Sequence, residues 1–324
     1  MKKLILMSLL VINQAQAAEA DNFTGMNQEL PDILGTVNKE ANVSLSQAVQ
    51  KTNAEGGCDR ERLVENLQYY FANHTSGKLV IDILHEKKFM KRSISIDESI
   101  YSGWTLFEGA ILNLSKDSDL ALSPTIRMGN TVIGVDKLEH MFGMGSRYYQ
   151  DYHIKGRSLS ATLREGIFKE KTILGGNILA TGVFSYADLS ANFNGMRFWN
   201  HMLGEQKDVI GQDIGPYILC VDDKYEVNSR SSIDFSNYID ASMDESINCS
   251  KYATKKSVKR IKKAMKTMAK SLDQDVSCPM SWSKFDEMQA KYNFVIEDDK
   301  KGRTISDFIL NEEGPGKVSY FNEF

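Results

Sequence analysis

Apolar residues recur at helical spacing through much of the chain. Leu63, Leu67, Tyr70 and Phe71 share one face of a helix predicted over residues 60–73. Trp104, Phe107, Ile111 and Leu114 do the same over 100–114. A further stripe of Leu138, Phe142, Gly145 and Tyr149 predicts a helix over 136–152. Ser158 is a candidate cap for a helix over 158–172, after which Gly175-Gly176 breaks the chain. Ser185 caps a predicted helix at 186–203, with Leu189, Phe193, Met196 and Trp199 on its apolar face. Residues 235–247 and 252–272 also read as helices. Short β-branched or alternating runs predict strands at 79–84 and 93–97, and a strand or buried turn at 218–221. Residues 124–134 read as a loop or turn region, and the charged tail from Asp298 as irregular. The fold class is mainly α with a few short strands.

The polar stretches divide the chain. Residues 18–57, rich in Asn, Gln, Glu and Ser and broken at Pro31-Asp32, predict a loosely ordered polar arm that ends at Gly56-Gly57. Residues 58–204 form a predicted helical core domain. The loop at 204–216 is a candidate boundary, with residues 205–324 as a C-terminal region that carries three cysteines and a basic helix. Gly143 and Gly145 each weaken their helix by about 1 kcal/mol relative to alanine. Such glycines permit a second backbone to approach closely.

The first 17 residues have the form of a secretory signal. Met1-Lys2-Lys3 is a basic start, the apolar run from Leu4 to Ile12 is short, and Ala15-Gln16-Ala17 is an A-x-A cleavage pattern. No later stretch approaches the roughly 18 apolar residues of a membrane helix. The expected location is the periplasm or outside the cell. Loss of Lys2 and Lys3 would take the formal charge from −4 to −6, a balance that argues against a nucleic-acid partner. Cys58, Cys220, Cys249 and Cys278, even in number, predict two disulfides stapling an irregular multi-helix globular protein. Three of the four lie in the last third, so one bridge is expected to close within that region.

Chemically capable residues concentrate between 135 and 200. On a helix, Asp136, Glu139 and His140 share a face, and Asp188 and Asn192 share another. His140 suits a general base, with Asp136 orienting it and Glu139 as acid or base. Asp136, His140 and Asp188 suit equally the ligand set of a divalent metal. They also suit a buried Asp–His hydrogen bond that merely joins helices. Asp188 and Asn192 fit a binding role for water, metal or a hydroxyl, or a capping pair. Arg164 offers an anion contact and Glu165 a second carboxylate. A glycosidase needs two carboxyls about 5–5.5 Å or about 6.5–9.5 Å apart, which Glu139 meets with Glu165 or Asp188 only if their helices pack suitably. Glu165 reads equally as a solvated helix residue. Lys255, Lys256, Lys259, Arg260, Lys262, Lys263, Lys266 and Lys270 crowd a single helix above an apolar stripe of Val258, Ile261, Met265 and Met268. That helix is either a solvated face or a dock for anionic envelope polymer or lipid.

The string Asp136-Lys137-x-x-His140, an arginine-bearing segment around Arg164, and Asp188-x-x-x-Asn192-x-x-Gly195 resembles the DK-x-x-H … D-x-x-x-N-x-x-G pattern of VanZ-like and YfiM-type envelope proteins. It covers some sixty residues, and the chain departs from VanZ-like proteins in having no transmembrane helices. The resemblance implies a site where the two motif-bearing helices meet, near the cell envelope. The leading expectation is an exported protein acting on an envelope component, a hydrolase of peptidoglycan or lipid with a His/carboxylate site. The rival is a non-enzymatic envelope-binding or scaffold protein. Convergence of Asp136, His140 and Asp188 on an open cleft favours the first, and burial in a paired interior favours the second.

Overall fold

A computed structural model describes residues 19–72, 76–105, 108–109, 122–171 and 181–319. Within these the chain is mainly helical with three short two-stranded sheets. α1 (Leu34–Glu55) and α2 (Arg60–Tyr70) are followed by α3 (Lys78–His85) and the hairpin β1 (Thr125–Met128) and β2 (Thr131–Gly134). α4 occupies residues 136–154: two α-helical pieces, Asp136–Glu139 and Gly145–Tyr149, alternate with π-helical turns at His140–Met144 and Gln150–Ile154. Next come α5 (Leu159–Lys171), β3 (Val183–Phe184), α6 (Tyr186–Leu203), the hairpin β4 (Ile218–Val221) and β5 (Lys224–Val227), and β6 (Lys251–Tyr252). α7 (Lys255–Leu272), α8 (Trp282–Lys291) and α9 (Ser306–Ile309) complete the order.

α6 is the axis of the molecule, with every residue from Tyr186 to Met202 buried. Ser185 caps it as predicted, its Oγ accepting from the Asp188 backbone N–H. α4 lies against α6 with no room between them. A Cβ on Gly195 would stand 2.0 Å from the Met141 carbonyl oxygen, and one on Gly145 would stand 2.5 Å from the Gly195 Cα. The close approach expected at Gly145 is therefore real, whereas Gly143 faces open space. The indole of Trp199 donates to the Phe142 carbonyl, further along the same seam.

The apolar core runs through both sides of the expected boundary at 204–216. Phe198 of α6 stacks on Phe235, packs edge-on to Tyr238 and also meets Phe71 and Phe142. Disulfides tie the periphery to it. Cys58–Cys220 joins the turn before α2 to the β4–β5 hairpin, and Cys249–Cys278 closes within the C-terminal region.

Several expectations are corrected. The supposed arm holds α1, because Val37, Ala41, Leu45, Ala48 and Val49 line one face and are buried. Residues 79–84 are helical rather than extended: Leu79, Val80 and Ile83 fall on one helical face and reach the core. The 93–97 strand reduces to a single bridge between Arg92 and Thr125, then a 3-10 turn at Ile96–Glu98. Residues 124–134 form a hairpin around Gly129-Asn130, with Gly129 at φ 65° as the left-handed turn requires. The helix expected at 235–247 is two short 3-10 turns, each capped by an aspartate, Asp234 and Asp240. In the tail, residues 306–309 are helical. The predicted helix at 100–114 opens as a turn at 101–103, and residues 106–107 and 110–114 of it lie outside the described residues, as does the signal segment. No helix among the described residues is long and apolar enough to cross a membrane.

Candidate functional site

The start of α4 and the start of α6 meet, and between them lies a buried lysine. Lys137 is wholly inaccessible, and its Nζ stands 2.6 Å from Asp136 Oδ2, 2.6 Å from Asp188 Oδ1 and 2.6 Å from Glu245 Oε1. Three elements deliver these carboxylates. Asp136 opens α4, where its backbone N–H is held by Ser123 Oγ. Asp188 lies in the first turn of α6, where the helix dipole favours a negative charge. Glu245 comes from an irregular segment 108 residues from Lys137. That segment is fixed by Asn248, whose amide donates to the Ser242 and Ile309 carbonyls, and by the Cys249 bridge. Ser185 ties Glu245 to the α6 cap at 3.1 Å. A fourth buried carboxylate, Glu19, accepts from Thr181 at 2.6 Å and is brought in by the pairing of Ala20 with Ser123.

His140 lies one turn further along α4. Its Nε2 is 3.2 Å from Asp188 Oδ2 and its Nδ1 is 3.1 Å from Asn192 Oδ1. Asp188 thus bridges the lysine and the histidine, one oxygen to each. The imidazole is about as open as this centre becomes, with 10% of its side chain exposed.

Proton affinities follow from the crowding. Burial opposes the charge on Lys137, but the surrounding Asp136, Asp188 and Glu245 outweigh it and hold the ammonium well above its ordinary value. Burial likewise opposes the imidazolium of His140, and Asp188 reverses that effect, raising it. Asp188 is held below the usual carboxylate range, since His140 and Lys137 overcome its desolvation. Burial pushes Glu245 up to about 7, with Asp136 and Asp188 adding to the rise against the pull of Lys137. Glu19 is raised well above its ordinary value, first by burial and then by Asp188 and Glu245. Two oxygens, Asp136 Oδ1 and Glu19 Oε2, make no hydrogen bond among the described residues.

The sequence thus placed Asp136, His140, Asp188 and Asn192 together, and the structure brings them together. It does not add the others. Glu139 is half-buried and is not among the carboxylates around Lys137. Glu165 is a partly exposed surface residue, 3.3 Å from Lys169 on its own helix. Arg164 pairs with Asp299, which Arg303 also holds. The predicted metal set is also revised. Oxygens of Asp136, Asp188 and Glu245, rather than a ring nitrogen of His140, lie within 4.8 Å of one another. The cation at their centre is the Lys137 ammonium, which a metal would have to displace.

Lys137, Glu245, Glu19 and Ser185 were missed as members of the centre. Lys137 carried a signal: it is four residues before the buried Met141, on a face that points inward. Glu19 and Glu245 carried none, being joined to the centre only through loops. A second buried polar chain runs from the far end of α6. Arg197 clamps Asp208 with Nε and Nη2, His201 Nε2 lies 3.2 Å from the same carboxylate, and His201 Nδ1 meets the Tyr238 hydroxyl, which meets that of Tyr217. Against the opposing effect of burial, His201 and Arg197 hold Asp208 well below the usual carboxylate range. No protein-family model, curated protein or solved structure matches the chain.

Proposed function

We propose that the chain is a non-enzymatic envelope-binding protein, in which the DK-x-x-H and D-x-x-x-N residues lock two helices together rather than carry out chemistry. One observation carries this reading: both ring nitrogens of His140 are engaged, with Asp188 and Asn192, beside a lysine that has no accessible surface. A general base needs a free ring lone pair directed at a substrate proton. Turning the Asn192 amide over exchanges donor for acceptor at Nδ1 but leaves the nitrogen occupied. Asp188 is equally committed, with one oxygen on Lys137 and the other on His140. Export, which the signal-like first 17 residues suggest, makes the envelope the natural place of action. The resemblance to VanZ-like and YfiM-type proteins points to the same compartment.

The test is release of products from peptidoglycan and from phospholipid vesicles by the mature protein, with and without chelator, alongside co-sedimentation with isolated envelopes. The expected result is co-sedimentation without product, unchanged in His140→Ala and Glu139→Gln variants that remain folded. Product formed by the parent and lost in a folded His140→Ala variant would restore the hydrolase. Sensitivity of that product to chelator would add the metal.

A further inference from the structure

α7 carries eight basic residues and no acidic one over Lys255–Leu272, in a chain of formal charge −4. Its apolar face is already used. Ile261 and Met265 are buried against Tyr101, Trp104 and Tyr252 in a core cluster that α7 helps to form. The helix therefore has no free apolar side to insert anywhere. Its opposite side is a row of cations. Lys255, Lys259, Lys262, Lys266 and Lys270 follow at intervals of four, three, four and four residues, which keeps them within one narrow stripe. All five are exposed. At about 1.5 Å per residue the row is roughly 22 Å long.

Two features set this row apart from an ordinary solvated face. Lys255, which opens the row, occupies the first turn, where the positive end of the helix dipole disfavours it and the helix itself supplies no acidic residue. The cations also divide by position. Arg260 and Lys256 turn toward Glu108, at 2.9 Å and 3.6 Å, while the five residues of the row are all lysine. Arginine suits a defined carboxylate or phosphate through its planar fork, whereas lysine acts as a mobile point charge. A straight row of point charges fits a smeared negative potential on a broad surface.

We propose that the lysine row of α7 docks the protein onto a bilayer surface bearing anionic phosphodiester headgroups, held electrostatically and without insertion. This rests on the envelope-binding reading above and names its partner. Each lysine close to an anionic membrane contributes about a fivefold gain in affinity. Replacing Lys259, Lys262 and Lys266 by glutamine then weakens binding on the order of a hundredfold.

The experiment is flotation of the mature protein with vesicles of phosphatidylcholine alone or with phosphatidylglycerol added. Binding is expected only to the phosphatidylglycerol vesicles, and it should vanish near 1 M salt, where the screening length falls to about 3 Å. The K259Q/K262Q/K266Q variant should keep its circular dichroism spectrum and lose binding. A matched control, K51Q/K87Q/K224Q, removes three exposed lysines elsewhere and should bind as the parent does. Equal loss in both variants would reduce the effect to net charge and overturn the proposal, as would binding that survives in the α7 variant. Binding to whole envelopes without binding to anionic vesicles overturns the lipid assignment alone. If that envelope binding needs the lysines and survives delipidation, the partner is an anionic polymer. Binding to neither overturns this proposal and the envelope-binding reading together.

Discussion

Replacing Lys137 by methionine keeps the length and most of the volume of the side chain while removing its charge. The ammonium it deletes is the common partner of three carboxylates, each at 2.6 Å, in a place without solvent. Taking away one partner of a buried ion pair costs about 3–5 kcal/mol, because the charge left behind has lost its water and its counter-ion. For a chain of 324 residues about 1 kcal/mol corresponds to roughly 1.5 °C, so the melting temperature should fall by about 4–8 °C. The loss must depend on pH. Without the lysine, the folded carboxylates bind protons more readily than the unfolded ones do, so the variant regains stability as pH falls. Glu245, already pushed up to about 7, takes its proton within this range. Urea unfolding of parent and variant at pH 5.5 and pH 8 measures the effect, with a gap that is wide at pH 8 and narrower at pH 5.5. Equal stability of the two proteins at pH 8, or a gap that widens in acid, would refute the assignment of Lys137 as the ionised hub.

The parent protein should itself lose stability between pH 5 and pH 8. Glu245 has a folded value near 7 against an ordinary value of 4.5, so its contribution is full below 4.5 and is lost as pH rises through 7. His140, also raised, has the same sign: its contribution is full below 6.5 and is lost above. Each proton of difference gives about 1.4 kcal/mol per pH unit, and Glu245→Gln should flatten the profile of urea midpoints measured across this range. Three glycines, two on the α4–α6 seam and one off it, offer a matched test by thermal melting. Gly195→Ala and Gly145→Ala force backbones apart and should each cost about 1–3 kcal/mol, whereas Gly143→Ala meets nothing within 4 Å and should gain up to about 1 kcal/mol. Opening Cys58–Cys220, which spans 162 residues, should cost roughly 5 kcal/mol against roughly 3.5 kcal/mol for Cys249–Cys278, which spans 29. Chemical denaturation of Cys58→Ser/Cys220→Ser and Cys249→Ser/Cys278→Ser variants decides the order.

What could be read along the chain was what repeats along it. The Ser185 cap, the burial of α6 and the face shared by Asp136 and His140 are local properties, set within a few residues, and the structure has them. The 79–84 run failed as a prediction because five apolar residues around Asp82 satisfy a strand and a buried helical turn alike, and packing of Leu79, Val80 and Ile83 made the choice. α1 was hidden for the opposite reason. Its buried face is built from Ala41, Ser44, Ala48 and Thr52 between larger residues, so its mean polarity resembles that of a loop while its spacing is helical. The charged centre combines both situations. Two of its contributors, Asp136 and Asp188, sit on regular helices and were legible. Glu245 and Glu19 arrive from irregular segments whose positions are set by Asn248, the Cys249 bridge and the Ala20–Ser123 pairing. Their absence changes the chemistry that the remaining residues suggest. Asp136, His140 and Asp188 alone are a metal site or a catalytic dyad; surrounded by Glu245 and Glu19, with Lys137 turned inward, they become an ion cluster whose cation belongs to the chain. A motif fixes which groups share a face, whereas the reactivity of those groups is decided by what is packed opposite.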